Sequence, residues 1–171
     1  MKHKEATKVL ITGPESTGKS TIANFAANHW GATLIPEYAR TYLEEKGPMY
    51  VQEDLLHIAK EHKKQIIQAE VNSTKLVLDT YLLNIKIWSE YKYGNCNPWI
   101  NTELQKLNVD YILLTQSDVP WSYDPLRENE LNREELFVLY KEELDKLKLE
   151  YMLLESDKKL REEQVRDILK M

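Results

Sequence analysis

Nine residues near the start of the sequence, GPESTGKST from Gly13 to Thr21, are suited to holding phosphate. Gly13-x-x-x-x-Gly18-Lys19-Ser20 is a complete Walker A pattern. Glycines let the backbone wrap so that N–H groups point inward at anionic oxygens, and a following helix adds positive partial charge at its N-terminus. In such a loop Gly13, Glu15, Ser16, Thr17, Gly18, Lys19, Ser20 and Thr21 surround the phosphates of ATP. Lys19 reaches the β- and γ-phosphates, and the Ser20 hydroxyl ligates Mg²⁺. Glu15 is the anomaly, a carboxylate in a loop built for anions. We expect it to pair with a mobile arginine, Arg40 or Arg127, and hold it near the γ-phosphate.

The other candidates follow the ends of apolar runs. KLVLD, Lys75 to Asp79, reads as a Walker B strand whose terminal carboxylate holds Mg²⁺ or accepts a proton from an acceptor hydroxyl. A helix N-cap is the competing role for Asp79. Glu37 is the second candidate base, set against a plain first-turn carboxylate facing a helix dipole. Tyr38 and Arg40 lie beside it, with a surface ion pair as the alternative for Arg40. Trp121, Asp124 and Arg127 fall in a long polar stretch, where an arginine can close on a transferring phosphoryl group and an aromatic can stack on a flat cationic ring. The competing reading there is a solvated loop. Asn84 could meet a sugar hydroxyl, and Trp88 and Tyr91 flank the same helix, with core packing preferred for Trp88. His3, His29, His57 and His62 have no metal-ligand spacing.

The elements that must position these residues are legible as pattern. Apolar runs at Lys8 to Thr12, Thr33 to Pro36, Lys75 to Asp79, Tyr111 to Thr115 and Tyr151 to Glu155 read as buried strands. Helices are expected over Gly18 to His29, Glu37 to Glu45, Gln52 to Val71, Tyr81 to Tyr93, Arg133 to Leu149 and Lys158 to Leu169, with a shorter one opening at Pro98. This alternation implies an α/β fold, a P-loop three-layer sandwich on a five-stranded parallel sheet. Residues 117–132 form a lid loop after the fourth strand, and residues 1–171 make one domain. In such sheets ligands bind beyond the carboxyl ends of the strands, where all these candidates collect.

Composition narrows the class. A net charge of -5 disfavours nucleic acid and anionic membranes as partners, and Cys96, the lone cysteine, allows neither an intramolecular disulfide nor a cysteine zinc site. No signal peptide is evident and no apolar run approaches the roughly 20 residues of a membrane span, so a cytoplasmic location is expected.

Four segments together resemble the ribosylnicotinamide kinase domain of the NadR family: GPESTGKST, PEYARTYLEE (Pro36 to Glu45), DTYLLNIKIWSEYKYG (Asp79 to Gly94) and LLTQSDVPWSYDPLREN (Leu113 to Asn129). The resemblance weakens beyond Asn129, where Arg161 still fits it. It implies a P-loop kinase that transfers the ATP γ-phosphate to the 5′-hydroxyl of nicotinamide riboside, with Mg²⁺ as cofactor and ATP as donor. It also implies that Glu37, Asp79 and nearby aromatics face the riboside and that the DVPW segment is the lid. Two departures stand out. The sequence has no HxGH-type nucleotidyltransferase motif, which the multifunctional members carry. The family's DLxxIAxGQ reads DLLHIAKEH here, so His62 is the first place where the acceptor pocket would differ. Other readings are a kinase of another nucleoside or small hydroxylated substrate, and a regulatory P-loop ATPase. The adenine is expected near Ser156 to Lys159.

Overall fold

A computed structural model describes residues 5–171; His3 lies outside them. The apolar runs form five strands, β1 (Thr7–Thr12), β2 (Thr33–Ile35), β3 (Lys75–Asp79), β4 (Tyr111–Thr115) and β5 (Met152–Leu154). They make one sheet in the order β2-β3-β1-β4-β5, with every pairing parallel. Parallel neighbours need long crossovers, and helices supply them: α1 (Lys19–Trp30), α2 (Tyr38–Lys46), α3 (Gln52–Glu70), α4 (Leu82–Tyr93), α5 (Pro98–Leu104), α6 (Arg133–Lys146) and α7 (Lys158–Leu169).

Strand side chains alternate between two faces, and each face has its own core. Val9, Ile11, Val77 and Leu113 pack with Ile22, Ala23 and Ala26 of α1 and Val165 and Leu169 of α7. Leu10, Leu76, Leu78, Ile112 and Leu114 face the other way, toward Leu55 and Ile58 of α3, Leu82 and Leu83 of α4, Ile100 of α5 and Leu136 of α6. The result is the expected three-layer α/β sandwich on a five-stranded parallel sheet, with β1 at its centre.

Element boundaries differ little from the sequence reading. The fourth-strand loop ends in a 3-10 turn, Glu130–Asn132, rather than running unstructured to α6. Helix α6 stops at Lys146, short of Leu149, because Lys148 turns into the left-handed region at φ 54°. No helix among the described residues is long and apolar enough to cross a membrane.

Candidate active site

Residues 13–18 connect β1 to α1 as a loop that two glycines make possible. A Cβ at Gly13 would run into the Thr115 hydroxyl and sit 2.8 Å from the Thr115 carbonyl oxygen, so the end of β4 leaves no room for one. Gly18 has φ 80° and approaches the Arg161 guanidinium, whose Nη1 lies 2.9 Å from where a Cβ would be. Arg161 is buried and ties the loop from below: its Nη1 donates to the Thr17 carbonyl (2.7 Å) and its Nε to the Glu155 carbonyl (2.6 Å). The Thr17 hydroxyl donates to the Pro14 carbonyl (2.8 Å) and lies 2.6 Å from the Thr115 hydroxyl. No side chain caps the first turn of α1 and no acidic residue stands there, so its N–H groups remain available to an anion.

Lys19 folds back onto its own loop, Nζ donating to the Pro14 carbonyl at 2.5 Å. Burial holds its pKa below the usual lysine value, against the opposing charges of Glu37, Asp79 and Glu15. Glu37 is the N-cap residue of α2 by backbone position, yet its carboxylate makes no capping bond. Burial raises its pKa; Asp79 adds to the shift and Lys19 opposes it. Asp79, 4% exposed, is raised by burial as well, with the Ser20 hydroxyl, Lys19 and Arg40 opposing. It is not the N-cap of α4, a position taken by Tyr81. Between them Thr80 sits at φ 68°, a strained conformation for a β-branched residue, where the chain turns from β3 toward α4.

Asp79 Oδ1 is buried with no hydrogen-bond partner among the described residues. An orphaned carboxylate oxygen beside the Ser20 hydroxyl is what a Mg²⁺ site of this loop type needs. The described residues contain no group of three or more His, Cys, Asp or Glu arranged to hold a metal without a substrate's help.

Two cavities meet at the phosphate loop, and Asp79, expected to face the acceptor, lines neither of them. A mouth of about 130 Å³ is lined by Glu15 to Thr21 with Arg40 and Arg127. A cleft of about 290 Å³ runs from Glu15, Lys19 and Glu37 along Arg40 and Asn84 to Trp88, Tyr91 and Lys92, roofed by Leu126, Glu128 and Asn129 of the lid. Glu15, Lys19 and Arg40 line both.

The lid rests on the phosphate loop, and here the expectation for Glu15 needs correction. Its carboxylate meets no arginine. It accepts from the backbone N–H groups of Glu128 and Asn129 (3.1 Å each) and from Asn129 Nδ2 (3.4 Å). The arginines are engaged elsewhere. Arg40 pairs with Asp124 at 2.9 Å, and Arg127 donates to the Ser122 carbonyl (2.6 Å) and to Ser16 Oγ (3.3 Å). The Leu126 N–H on its carboxylate, and then Arg40, hold the Asp124 pKa below the usual range.

The remaining candidates scatter. Asn84 lines the cleft, but its amide is already used: it accepts from the Thr12 hydroxyl (2.7 Å) and donates to the Tyr140 hydroxyl (2.8 Å) and the Gly13 carbonyl (3.3 Å). Tyr38 is not brought to the cleft; its ring lies against Tyr42 and His57. Trp121 stays within the lid, its ring near the guanidinium groups of Arg133 (5.5 Å) and Arg127 (5.9 Å). Trp88, read as core, packs partly against the core and lines the cleft as well. His62 lies away from the cleft, 1% exposed and edge-on to Tyr81, so the DLLHIAKEH departure falls in the packing of α3.

Two residues of the site, Arg133 and Tyr140, carried no distinctive sequence signal. Arg133 donates to the Val119 and Ser16 carbonyls (2.6 and 3.2 Å) from the first position of α6. Tyr140 looks like any core residue of that helix, yet its hydroxyl reaches the cleft floor. An arginine and a tyrosine on the helix after a long polar loop were the available hints, and both fit ordinary helix patterning.

The sequence matches the family described as an AAA domain over residues 8–161. It is 28% identical over 158 residues to the trifunctional NAD biosynthesis/regulator protein NadR of Escherichia coli (strain K12), which covers 87% of this chain and 38% of that protein. The chain therefore spans well under half the length of that relative. Among solved structures, a NadR protein in complex with NAD and AMP-PNP superposes with a TM-score of 0.79 at 16% identity, over 98% of this chain and 50% of the other. Deoxyadenosine kinase from M. mycoides with bound dATP superposes at 0.68 and 19% identity, over 96% and 100%. The fold is that of the P-loop kinases.

Proposed function

We propose that this chain, a member of the AAA domain family related to NadR, is an ATP-dependent nucleoside kinase whose acceptor is the 5′-hydroxyl of nicotinamide riboside. One observation carries the reading. A phosphate mouth and a cleft of small-molecule size share Lys19, Glu15 and Arg40, so a donor phosphate and an acceptor hydroxyl would meet at their junction. A hydrolase has no need of the second cavity.

In this reading Lys19 exchanges the Pro14 carbonyl for the phosphates of ATP. Arg40 and Arg127, at the rim of the mouth, offset the charge that develops on the transferring group. Glu37 lines the acceptor cleft and takes the hydroxyl proton, a role its raised pKa suits. The acceptor oxygen bonds to the γ-phosphorus as the bond to the β–γ bridging oxygen breaks, and that electron pair leaves with ADP. Ser20 and Asp79 would hold Mg²⁺, which when bound neutralises charge on the β- and γ-phosphates. Docking of the lid excludes water from the junction. The rings of Trp88 and Tyr91 in the cleft wall give the cationic pyridinium of nicotinamide riboside aromatic faces to lie against.

The test is ADP release from Mg-ATP with no acceptor, with nicotinamide riboside, and with a panel of common nucleosides and deoxynucleosides. Strong stimulation by nicotinamide riboside, with its mononucleotide as product, is expected. Stimulation by another nucleoside alone would reassign the acceptor, and acceptor-independent hydrolysis would favour a regulatory ATPase.

A further inference from the structure

At the end of the cleft remote from Lys19, a polar cluster joins three parts of the chain. Tyr50, between α2 and α3, accepts at its hydroxyl from Trp88 Nε1 (2.7 Å) and Lys92 Nζ (2.6 Å) of α4. It donates to Glu128 Oε2 of the lid (2.7 Å), and Lys92 also pairs with Glu128 Oε1 (3.0 Å). The Lys92 ammonium lies over the Tyr50 ring, 3.9 Å from its centroid, and the Tyr50 ring meets Trp88 edge-on at 4.9 Å. The same residue, Glu128, gives its backbone N–H to Glu15 of the phosphate loop. One lid residue is thus held twice, by its backbone to the phosphate loop and by its carboxylate to Tyr50 and to Lys92 of α4.

We propose that Glu128 is a positioning residue that fastens the lid to the phosphate loop and the acceptor wall together, so that the lid seats over both substrates as one unit. The effect on transfer rests on the kinase reading above; the fastening does not. Each bond is ordinary, and the Lys92–Glu128 pair is half-exposed and weak by itself. Coupling comes from geometry, because loosening the carboxylate frees the residue whose N–H the phosphate loop holds.

The fastening is read by amide hydrogen exchange in the free protein. Tyr50→Phe removes the central hydroxyl and keeps the ring packing; Lys92→Met removes the cation. Both are expected to speed exchange of the Glu128 and Asn129 amides about tenfold, the effect of losing one ordinary hydrogen bond. Exchange in α1 should not change. Glu128→Ala should do the same, while Glu128→Gln, which keeps length and an acceptor oxygen, should restore much of the protection. With Mg-ATP and nicotinamide riboside, Tyr50→Phe should raise acceptor KM and increase ATP hydrolysed per mononucleotide formed, with kcat little changed. Unaltered exchange at Glu128 and Asn129, or acceleration spread evenly over the chain, would overturn the proposal. If the unaltered protein phosphorylates no nucleoside, the kinase reading fails and the exchange data still decide the fastening.

Discussion

Glu37 and Asp79 are two carboxylates kept in a setting that disfavours their charge. Burial raises both pKa values, and Lys19 compensates only in part because burial lowers its own. A raised carboxylate pKa means that the folded chain binds the proton more readily than the unfolded one. Folding stability therefore falls as pH rises from the ordinary Glu value of 4.5 through the raised one. Glu37→Gln should consequently raise Tm while lowering kcat by roughly 10²–10⁴-fold, the usual contribution of a general base. Thermal melts and steady-state kinetics on one preparation check both signs. A variant that lost activity and stability together would point to a structural role for Glu37. The kcat/KM profile should show an acid limb above the normal glutamate range, belonging to the Glu37–Asp79 pair as a unit. Asp79→Asn is expected to weaken the dependence on Mg²⁺ while leaving binding of the free nucleoside nearly unchanged, as titration calorimetry with and without the metal would register.

Among the elements, the phosphate loop is set by what lies beneath it. Gly13→Ala would force its Cβ against the Thr115 backbone, which cannot swing aside as a flexible side chain could. It should cost stability and ATP affinity together, measured as a lower Tm and a higher KM for ATP with the KM for acceptor little changed. Helix α3 carries a different liability. His62 is 1% exposed, and its Nε2 has no partner among the described residues. Burial lowers its pKa from 6.5 to about 4, so the unfolded chain takes up the proton first on acidification. The stability that depends on a neutral His62 is complete above about pH 6.5 and is lost as pH falls toward 4, on the order of 3 kcal/mol in all. His62→Leu should flatten urea midpoints across that window. Asp54, held at about 2 by Lys46, Tyr42 and the Val51 N–H, acts only at lower pH. The strands and helices were legible because each is a local pattern: KLVLD and YILLT read as buried strands, and 52–71 reads as one amphipathic face. So was the phosphate loop, where contiguous residues share one task. What the lid touches was not. Glu15 meets Glu128 and Asn129 across more than a hundred residues, and Arg133 meets Ser16 likewise. No local periodicity encodes such a pairing, and charge logic alone sent Glu15 to an arginine that Asp124 already holds.

At the scale of the whole molecule, both cores lean on the same sheet, and β1 carries residues of each: Val9 and Ile11 on one face, Leu10 on the other. Losing either helical layer would expose one side of every central strand, so the layers should unfold together. The tryptophans report on the parts separately. Trp30 packs against the α1–α7 core, Trp88 and Trp99 against the other, and Trp121 lies in the lid. In a Trp121→Phe variant, which leaves only the core tryptophans, we expect fluorescence and far-ultraviolet circular dichroism to give one coincident urea transition. Mg-AMP-PNP at about 100 times its Kd should then add about 2.7 kcal/mol, near 5–10 °C in Tm for a chain of this size. Because Arg161 joins the loop to the end of β5 through the Thr17 and Glu155 carbonyls, ligand energy delivered at the loop should reach the α7 layer. Arg161→Lys cannot span both carbonyls from one planar fork. It should lose part of the ligand-induced shift beyond any loss of Tm in the free protein. Equal shifts in the two proteins would mean that the loop holds the nucleotide without help from the layer beneath it.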